Sequence, residues 1–478
     1  MSWETYSYNL KSPTASQDNS LFRGVFLRWS NLTLSEKVVC ANIVLIPLWW
    51  IGGLYKYMAA LIVFGIMGWE WKKHRAIPLK KPTFSVISLI TFATYVSIGQ
   101  LFFSLYNPGK ITTTEFIRSL LFWFPIAFLL WYIQSKDIKV RPEVVAWSFS
   151  VNILQMMSFW IVGQLILGAG IYDPPRTIFS LLSGNASGSY DAGKGLANYL
   201  IPYRPEDVSI ASFARWSFFF IIPEIAALVF SFFVLLSLDL KNRLWSITLA
   251  SSSFFLLLIT GTRSALMALP LTMALRYTFS IGKNRGFYIP LALAALLVFT
   301  TLSLPIVTNS ITTSIEQKQK DVGEFRADST KVRGDIYKGT LESIPDKLFF
   351  GHWVPGPTVL PGFDLGRIGT HSFILGRLLY HIGLVGTTLF ASFWLSLFVW
   401  LYKTGKNRPL CGYGLLILYT LVSPVMEFGE SLCWLIVLLG TTICYPTKYL
   451  SQTTNNNKYL DHHLNRKYKL RLNDDYNR

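Results

Sequence analysis

The sequence predicts an all-α polytopic membrane protein. This fold class rests on composition, on the length of the apolar runs and on where the charges lie. Of the 478 residues, 51% are hydrophobic and 15% are charged, whereas a soluble globular chain has about 25% charged residues. The apolar residues form runs of roughly 17 to 25, the length with which a helix crosses a bilayer. Lysine and arginine are concentrated between those runs.

About twelve transmembrane helices are predicted, with a long extracytoplasmic loop between the ninth and the tenth spans. The predicted spans are 38–54, 57–71, 84–106, 116–133, 143–170, 213–238, 243–260, 263–280, 287–308, 380–402, 408–425 and 430–446. The predicted segments of the chain are therefore 1–37 before the first span, 38–308 with nine spans and a loop at 171–212, the loop 309–379, 380–446 with three spans, and a basic tail at 447–478.

The distribution of cationic residues predicts the orientation. Alternate short loops contain fifteen Lys or Arg, whereas the opposite short connections contain only Lys56, Lys110 and Arg263. Because cationic residues are retained on the cytoplasmic side, both termini are predicted to be cytoplasmic and both long loops extracytoplasmic. This pattern also accounts for the net charge of +18, so membrane lipids rather than nucleic acid are the predicted partners of the basic tail.

Charges inside the predicted spans help to separate two classes of function. A transporter of ions or charged substrates, the alternative to an enzyme, would need polar groups near the midplane of the spans. Here the charged residues cluster toward the predicted outer face, and only Glu224 is predicted to lie deep. It follows Pro223, which frees a backbone carbonyl, so we expect Glu224 to line a polar cavity or to pair with an arginine. The inventory favours chemistry at the outer surface.

Three segments on that face contain candidate site residues. They are "GTRSALMAL" with Arg263, "RGDIYKGTLESIPDKLFFGHW" opening with Arg333, and "THSFILGRLLYHIGLVGTTLF" with His371. Apolar residues at helical spacing in the second segment predict a short amphipathic helix at the membrane surface, which Pro345 would end.

In order, spacing and topology these segments resemble the O-antigen ligase and polymerase superfamily of bacterial envelope enzymes, over roughly residues 255 to 395. This chain has His371-Ser372 where the family often has His-Asn, and "GHW" at 351–353 where the family has a Gly-x-Gly turn.

The resemblance implies an integral protein of the bacterial inner membrane that transfers glycan from a polyprenyl-diphosphate carrier to an acceptor hydroxyl. The acceptor is lipid A core in a ligase and another carrier-linked repeat unit in a polymerase. The sequence leaves those two open, and the alternative from another class is a polysaccharide exporter or flippase. The family is regarded as inverting and independent of metal or other cofactors.

The residue types suit that chemistry. The leaving diphosphate gains negative charge, and the predicted extracytoplasmic loops contain no D-x-D cluster to hold a metal. Arginines would then compensate the charge. Arg263 and Arg333 are the first candidates, with a snorkelling anchor and a solvated helix face as the respective alternatives. Arg215, Arg377 and Glu224 are predicted to make further substrate contacts.

His371 is the predicted base for the attacking hydroxyl. It precedes a predicted helix whose start Thr370 or Ser372 could cap, and a helix N-terminus disfavours positive charge and so keeps the imidazole neutral. The alternative is a loop histidine bonded to backbone groups. His352 and His381 are weaker candidates for the same role.

Overall fold

The computed structural model describes residues 21–109, 113–167, 174–183, 198–208, 214–285, 332–359, 366–427 and 438–445. Most of these residues are helical, as the predicted all-α class requires. The predicted span at 287–308, the first half of the span at 430–446, the tail, and half of the loop at 171–212 lie outside the described residues.

The helices follow the predicted spans closely in the first half of the chain. They are α1 Leu34–Val44, α2 Ile46–Gly52, α3 Met58–His74, α4 Phe84–Tyr106, α5 Thr113–Lys136, α6 Pro142–Leu167, α7 Ile178–Leu182, α8 Pro223–Ser237, α9 Arg243–Thr260, α10 Arg263–Arg285, α11 at 332–343, α12 His381–Lys403 and α13 Cys411–Val422. A π-helix, Phe373–Tyr380, leads directly into α12. Two small antiparallel sheets pair β1 Phe22–Arg23 with β2 Phe26–Leu27, and β3 Tyr203–Val208 with β4 Ala214–Trp216.

Several of these helices can cross a membrane. Within the described residues, four are long and apolar enough: Phe84–Tyr106, Pro142–Ile166, Arg243–Thr260 and Phe373–Lys403. The pair α1 and α2, bent by 59°, is a fifth candidate if the two form one span. The chain is therefore an integral membrane protein with transmembrane helices, and the count of twelve stays a prediction.

The boundary between α9 and α10 fixes the position of Arg263. The Asn242 side chain caps the start of α9 by accepting a hydrogen bond from the amide of Trp245, 3.1 Å away. Gly261, with a φ of 63°, ends the helix in the left-handed conformation that glycine adopts without strain. After Thr262 the chain enters α10, so Arg263 is the first residue of that helix.

Helix α8 lies at the centre of the bundle and packs against α6, α9, α10 and α13. Every residue of α8 except Glu224 is buried. The predicted span 213–238 was wrong at its start, because Ala214–Trp216 pair with β3 and the helix begins only at Pro223. Proline is well suited to a first helical position, where its missing N–H costs nothing. Glu224 is therefore in the first turn of α8 and not deep in the bundle.

The two ends of α8 are tied to neighbouring segments by ion pairs. Just after its C-terminus, Asp239 pairs with Arg276 of α10, and both side chains are largely buried. The second carboxylate oxygen of Asp239 accepts a hydrogen bond from the Cys411 amide, 2.7 Å away at the start of α13. At the other end, Glu224 has its own arginine partners. We call this second end, which contains Glu224, the site end of the bundle.

The helix that follows His371 is interrupted, and a loop fills the interruption. Gly383 has non-helical angles, with φ 68° and ψ −172°. The chain just after α11 lies alongside: the amide of His352 donates to the Tyr380 carbonyl (2.8 Å), and the amide of Leu384 donates to the Leu348 carbonyl (2.8 Å). These bonds satisfy backbone groups that a broken helix would leave bare in an apolar setting.

The start of this helix differs from the predicted boundary. The loop is predicted to extend to 379 and the span to begin at 380, but helical structure begins at Phe373.

Two glycines, Gly351 of the loop and Gly383 at the break, lie in close contact. A Cβ on Gly351 would lie 2.6 Å from the Gly383 nitrogen, so the loop can approach the break only because glycine stands there.

Candidate functional site

Four charged or titratable side chains from separate segments lie together at the site end of the bundle. Arg215 comes from β4, Glu224 from the first turn of α8, Arg333 from α11, and His371 from the residues just before the π-helix. We call these four residues the charged cluster.

Arg215 and Glu224 form the inner part of the charged cluster. Arg215 Nη2 lies 3.0 Å from Glu224 Oε1, and the two side chains are 6% and 20% exposed. Arg215 Nε also donates to the Thr260 carbonyl (2.9 Å), and Nη2 lies 3.5 Å from Thr262 Oγ1. Arg215 therefore ties the turn between α9 and α10 to α8. The predicted pairing of Glu224 with an arginine is confirmed.

Arg263 follows Thr262 directly and is partly buried at the start of α10. The N-terminus of a helix has a partial positive charge, so a cation there is unfavourable unless an anion compensates both. No side-chain hydrogen bond or ion pair joins Arg263 to any residue that the structure describes. Its guanidinium is consequently available to an anion bound at this helix end, where backbone N–H groups also point outward.

Arg333 forms the outer part of the charged cluster. Its Nη2 lies 4.0 Å from Glu224 Oε1, and its side chain is 48% exposed. Helix α11 is held in place by Ile336 and Thr340, which are fully buried. The predicted helix is present: it ends at residue 343, two residues before Pro345, and a 3₁₀ turn, Ile344–Lys347, follows it.

His371 has a strained backbone, with a φ of 67° in the left-handed region. Its carbonyl oxygen lies 3.4 Å from the hydroxyl of Tyr337 in α11, and the same hydroxyl lies 3.2 Å from the Val425 carbonyl oxygen. The next residue, Ser372, caps the π-helix by accepting from the Leu375 amide at 3.0 Å. The ring Nδ1 of His371 lies 2.8 Å from the Thr370 hydroxyl. The ring is thus held from its own loop, and the carbonyl lies beside α11.

The environment of His371 favours the neutral imidazole. Burial lowers the pKa of His371 most, the nearby charge of Arg333 lowers it further, and the carboxylate of Glu224 acts in the opposite direction. The net direction is downward. The neutral ring was predicted from the helix N-terminus, whereas these contributions come from burial and from a guanidinium.

Arg377 lies apart from the charged cluster. Its Nε is 3.8 Å from a carboxylate oxygen of Glu427, and the two side chains are 54% and 40% exposed. In the described part of the chain, no contact links Arg377 to Glu224, Arg333 or His371.

The two weaker histidine candidates both bond to backbone groups. His352 Nε2 lies 2.9 Å from the Ser343 carbonyl, and its ring stacks on that of Tyr380 with centroids 4.3 Å apart. His381 is buried, with Nε2 2.9 Å from the Gly369 carbonyl. The stacking of His352 on Tyr380 and the bond from His381 to Gly369 hold neighbouring loop segments against the interrupted helix. Of the three candidate histidines, His371 is therefore the one at the charged cluster.

Sequence reasoning missed most of the neutral residues that orient the site and predicted Thr370 only as a possible helix cap, a role that Ser372 has instead. The Thr260 carbonyl and the Thr262 hydroxyl accept hydrogen bonds from the Arg215 guanidinium. The Tyr337 hydroxyl lies near the His371 carbonyl, and the Thr370 hydroxyl contacts the His371 ring. The signal was present for three of them, because each threonine is within three residues of a candidate arginine or histidine. No comparable signal marks Tyr337.

Comparison with known families bears on the same region. Residues 247–391 match the family model described as O-antigen ligase. This stretch includes Arg263, Arg333, His371 and Arg377, whereas Arg215 and Glu224 precede it. None of the curated proteins matches the chain. Among the described residues, no group of three or more His, Cys, Asp or Glu is arranged to hold a metal ion.

Proposed function

We propose that this chain, whose residues 247–391 match the O-antigen ligase family, transfers glycan from a polyprenyl-diphosphate carrier to an acceptor hydroxyl. The family supports glycan transfer between a lipid-linked donor and a glycan acceptor in general terms. The carrier, the acceptor and the side of the membrane belong to the proposal.

The observation that carries the proposal is the meeting of cationic and basic groups at one end of an apolar bundle. Arg333 lies 4.0 Å from Glu224, and both act on the pKa of His371. Arg263 begins α10 beside the turn that Arg215 holds. A lipid diphosphate must sit at the membrane surface with its tail in the bilayer, so such a site suits an anionic headgroup.

In the proposed reaction His371 acts as the base. The acceptor oxygen bonds to the anomeric carbon of the donor while the bond from that carbon to the diphosphate oxygen breaks. The hydroxyl proton passes to Nε2 of His371, and the diphosphate leaves with the electron pair of the broken bond. One displacement of this kind inverts the anomeric centre. The lowered pKa of His371 keeps the ring neutral and ready to accept the proton.

Arg263 and Arg333 are proposed to stabilise the leaving diphosphate. Arg333 is half exposed, and Arg263 has no ion-pair partner among the residues described here. Guanidinium groups bind phosphate oxygens in a bidentate manner and need no reorganisation as charge develops. Metal independence follows from this assignment: excess EDTA should leave transfer unchanged. Loss of turnover that Mg²⁺ restores would contradict it.

The remaining candidates are assigned smaller roles. Arg215 is almost fully buried and already bonded to Glu224 and Thr260, so we propose that this pair organises the site instead of binding substrate. Arg377 is half exposed beside Glu427 and remains a candidate for contact with a substrate anion.

An apolar cavity beside the site supports a donor with a lipid tail. It has a volume of about 160 Å³ and begins at Phe373, two residues after His371. Its walls come from the π-helix, α12 and α13, among them Leu378, Phe390, Trp394 and Tyr419. We propose that part of the isoprenoid chain occupies it while the diphosphate lies at the charged cluster.

Orientation completes the proposal. The loop charges favour cytoplasmic termini, which would put the charged cluster at the extracytoplasmic face of the bacterial inner membrane. Carrier-linked glycan would then have to reach that face before the reaction.

Deletion of the gene tests the proposed function and separates its variants. Loss of the transferase should cause carrier-linked glycan to accumulate on the outer face of the membrane. Accumulation of single repeat units would identify a polymerase, and accumulation of long chains a ligase. Accumulation on the cytoplasmic face would instead indicate an exporter or flippase and would overturn the proposal.

A further inference from the structure

The hydrogen bonds around Thr370 determine which nitrogen of His371 carries the proton. Thr370 Oγ1 lies 2.6 Å from the Arg367 carbonyl oxygen and 2.8 Å from His371 Nδ1. Building on the proposed function, we infer that Thr370 is a positioning residue. It holds His371 in the tautomer whose Nε2 is unprotonated and can take the proton of the attacking hydroxyl.

The inference follows from counting hydrogens. A threonine hydroxyl has one hydrogen, and a carbonyl oxygen can only accept. The hydrogen of Thr370 is therefore used in the bond to Arg367. The remaining contact at 2.8 Å needs its hydrogen from His371, so Nδ1–H donates to the lone pair of Thr370 Oγ1.

This arrangement leaves Nε2 as the nitrogen with a lone pair. In the part of the chain that the structure describes, no group forms a hydrogen bond to Nε2. The backbone beside His371 is meanwhile held by the Ser372 cap, whose hydroxyl accepts from the Leu375 amide at 3.0 Å. Without the Thr370 hydroxyl, the proton could move to Nε2, and that tautomer cannot act as the base at this position.

A pair of substitutions isolates the hydroxyl. Thr370→Val keeps the branched shape and removes the oxygen, so kcat for glycan transfer should fall by about 10²-fold or more, with little change in donor affinity. Thr370→Ser keeps the hydroxyl and should stay within a few-fold of the unmodified protein. Thr91→Val is the matched control, because its exposed hydroxyl bonds only within α4, to the Ile87 carbonyl.

A double-mutant comparison separates positioning from general support of the fold. In the His371→Ala background there is no ring to orient, so adding Thr370→Val should leave the residual rate unchanged. An equal loss in both backgrounds would overturn the inference, as would full activity of Thr370→Val. A fall in donor affinity alone would also overturn it, since Thr370 would then act on binding and not on the base.

A direct measurement does not depend on activity. The chain has six histidines, and the ¹⁵N resonances of His371 can be assigned by comparing labelled protein with the His371→Ala variant. At neutral pH, Nδ1 should give the signal of a protonated nitrogen and Nε2 that of an unprotonated one. A proton on Nε2 would overturn the inference even if the protein transfers glycan. The expected tautomer in a protein without transferase activity would instead refute the proposed function alone.

Discussion

The guanidinium of Arg333 lies 4.0 Å from the carboxylate of Glu224, and the two act on His371 with opposite sign. Burial lowers the pKa of His371 most, Arg333 lowers it further, and Glu224 raises it. The charge balance of this pair therefore tunes how much of the imidazole is neutral at a given pH.

Replacement of either partner should move the pH profile in a known direction. If the base must be neutral, activity falls as pH drops through the pKa of His371. Arg333→Gln removes a positive charge, so this pKa should rise and the acidic limb of kcat/KM, which reports the free enzyme, should move to higher pH. Glu224→Gln should move it to lower pH. The measurement is kcat/KM against pH between about 5 and 8, each profile scaled to its own plateau. Coincident limbs in all three proteins would contradict the assignment.

Arg263 should not be replaceable by lysine. Loss of a donor that meets charge in the transition state costs about 10²–10³ in rate, and an ammonium group cannot reproduce a bidentate guanidinium. Arg263→Ala should therefore lose this much in kcat/KM, and Arg263→Lys should recover little of it. Normal amounts of both variants in the membrane are the control. Near-complete recovery by lysine would indicate a membrane anchor and not a phosphate ligand.

Arg215 and Arg263 should differ in what they do for stability. The side chain of Arg215 is 6% exposed and paired with Glu224, and removal of one partner from a buried pair costs on the order of 3–5 kcal/mol. Arg215→Met should therefore unfold at a clearly lower temperature in detergent, whereas Arg263→Met should unfold like the parent protein. Equal unfolding temperatures for the two variants would remove the organising role of Arg215.

The orientation can be tested with cysteines at opposite ends of the bundle. Lys338 on α11 and Asn242 before α9 are both exposed. In cells whose outer barrier is permeable to a membrane-impermeant thiol reagent, a cysteine at 338 should react and one at 242 should not. The parent chain is the background control, and three of its cysteines, Cys40, Cys411 and Cys444, are buried. Reaction at 242 with protection at 338 would reverse the proposed topology.

Hydrophobic patterning predicted the helices well wherever a helix has its own end signals. The span 243–260 coincides with α9, because Asn242 caps one end and Gly261 terminates the other. The span 213–238 failed because its first residues are apolar for a different reason: Ala214–Trp216 pack as a strand against β3. Apolar composition alone cannot distinguish a buried strand from the first turn of a helix.

The charged residues of the site could be predicted from the sequence, whereas the roles of its neutral residues could not. Arginines and a histidine near apolar segments stand out because burying them is costly, so Arg263, Arg333 and His371 could be selected from the sequence. Thr370 and Tyr337 carry no such cost: the sequence indicates Thr370 only as a possible helix cap, and the contacts of both residues with His371 are visible only in the structure. The interruption at Gly383 was also invisible, because it depends on a loop distant in sequence that supplies the missing backbone bonds.

The central claim is that this chain releases a lipid diphosphate as it transfers glycan, with His371 as the base. The most direct test measures polyprenyl diphosphate released by the purified protein in lipid nanodiscs with carrier-linked oligosaccharide and an acceptor. The parent protein should release one diphosphate for each glycan transferred. His371→Ala should bind the donor with nearly unchanged affinity and release roughly 10²-fold less or lower still. Undiminished release by His371→Ala, or none by the parent protein with either class of acceptor, would contradict the account.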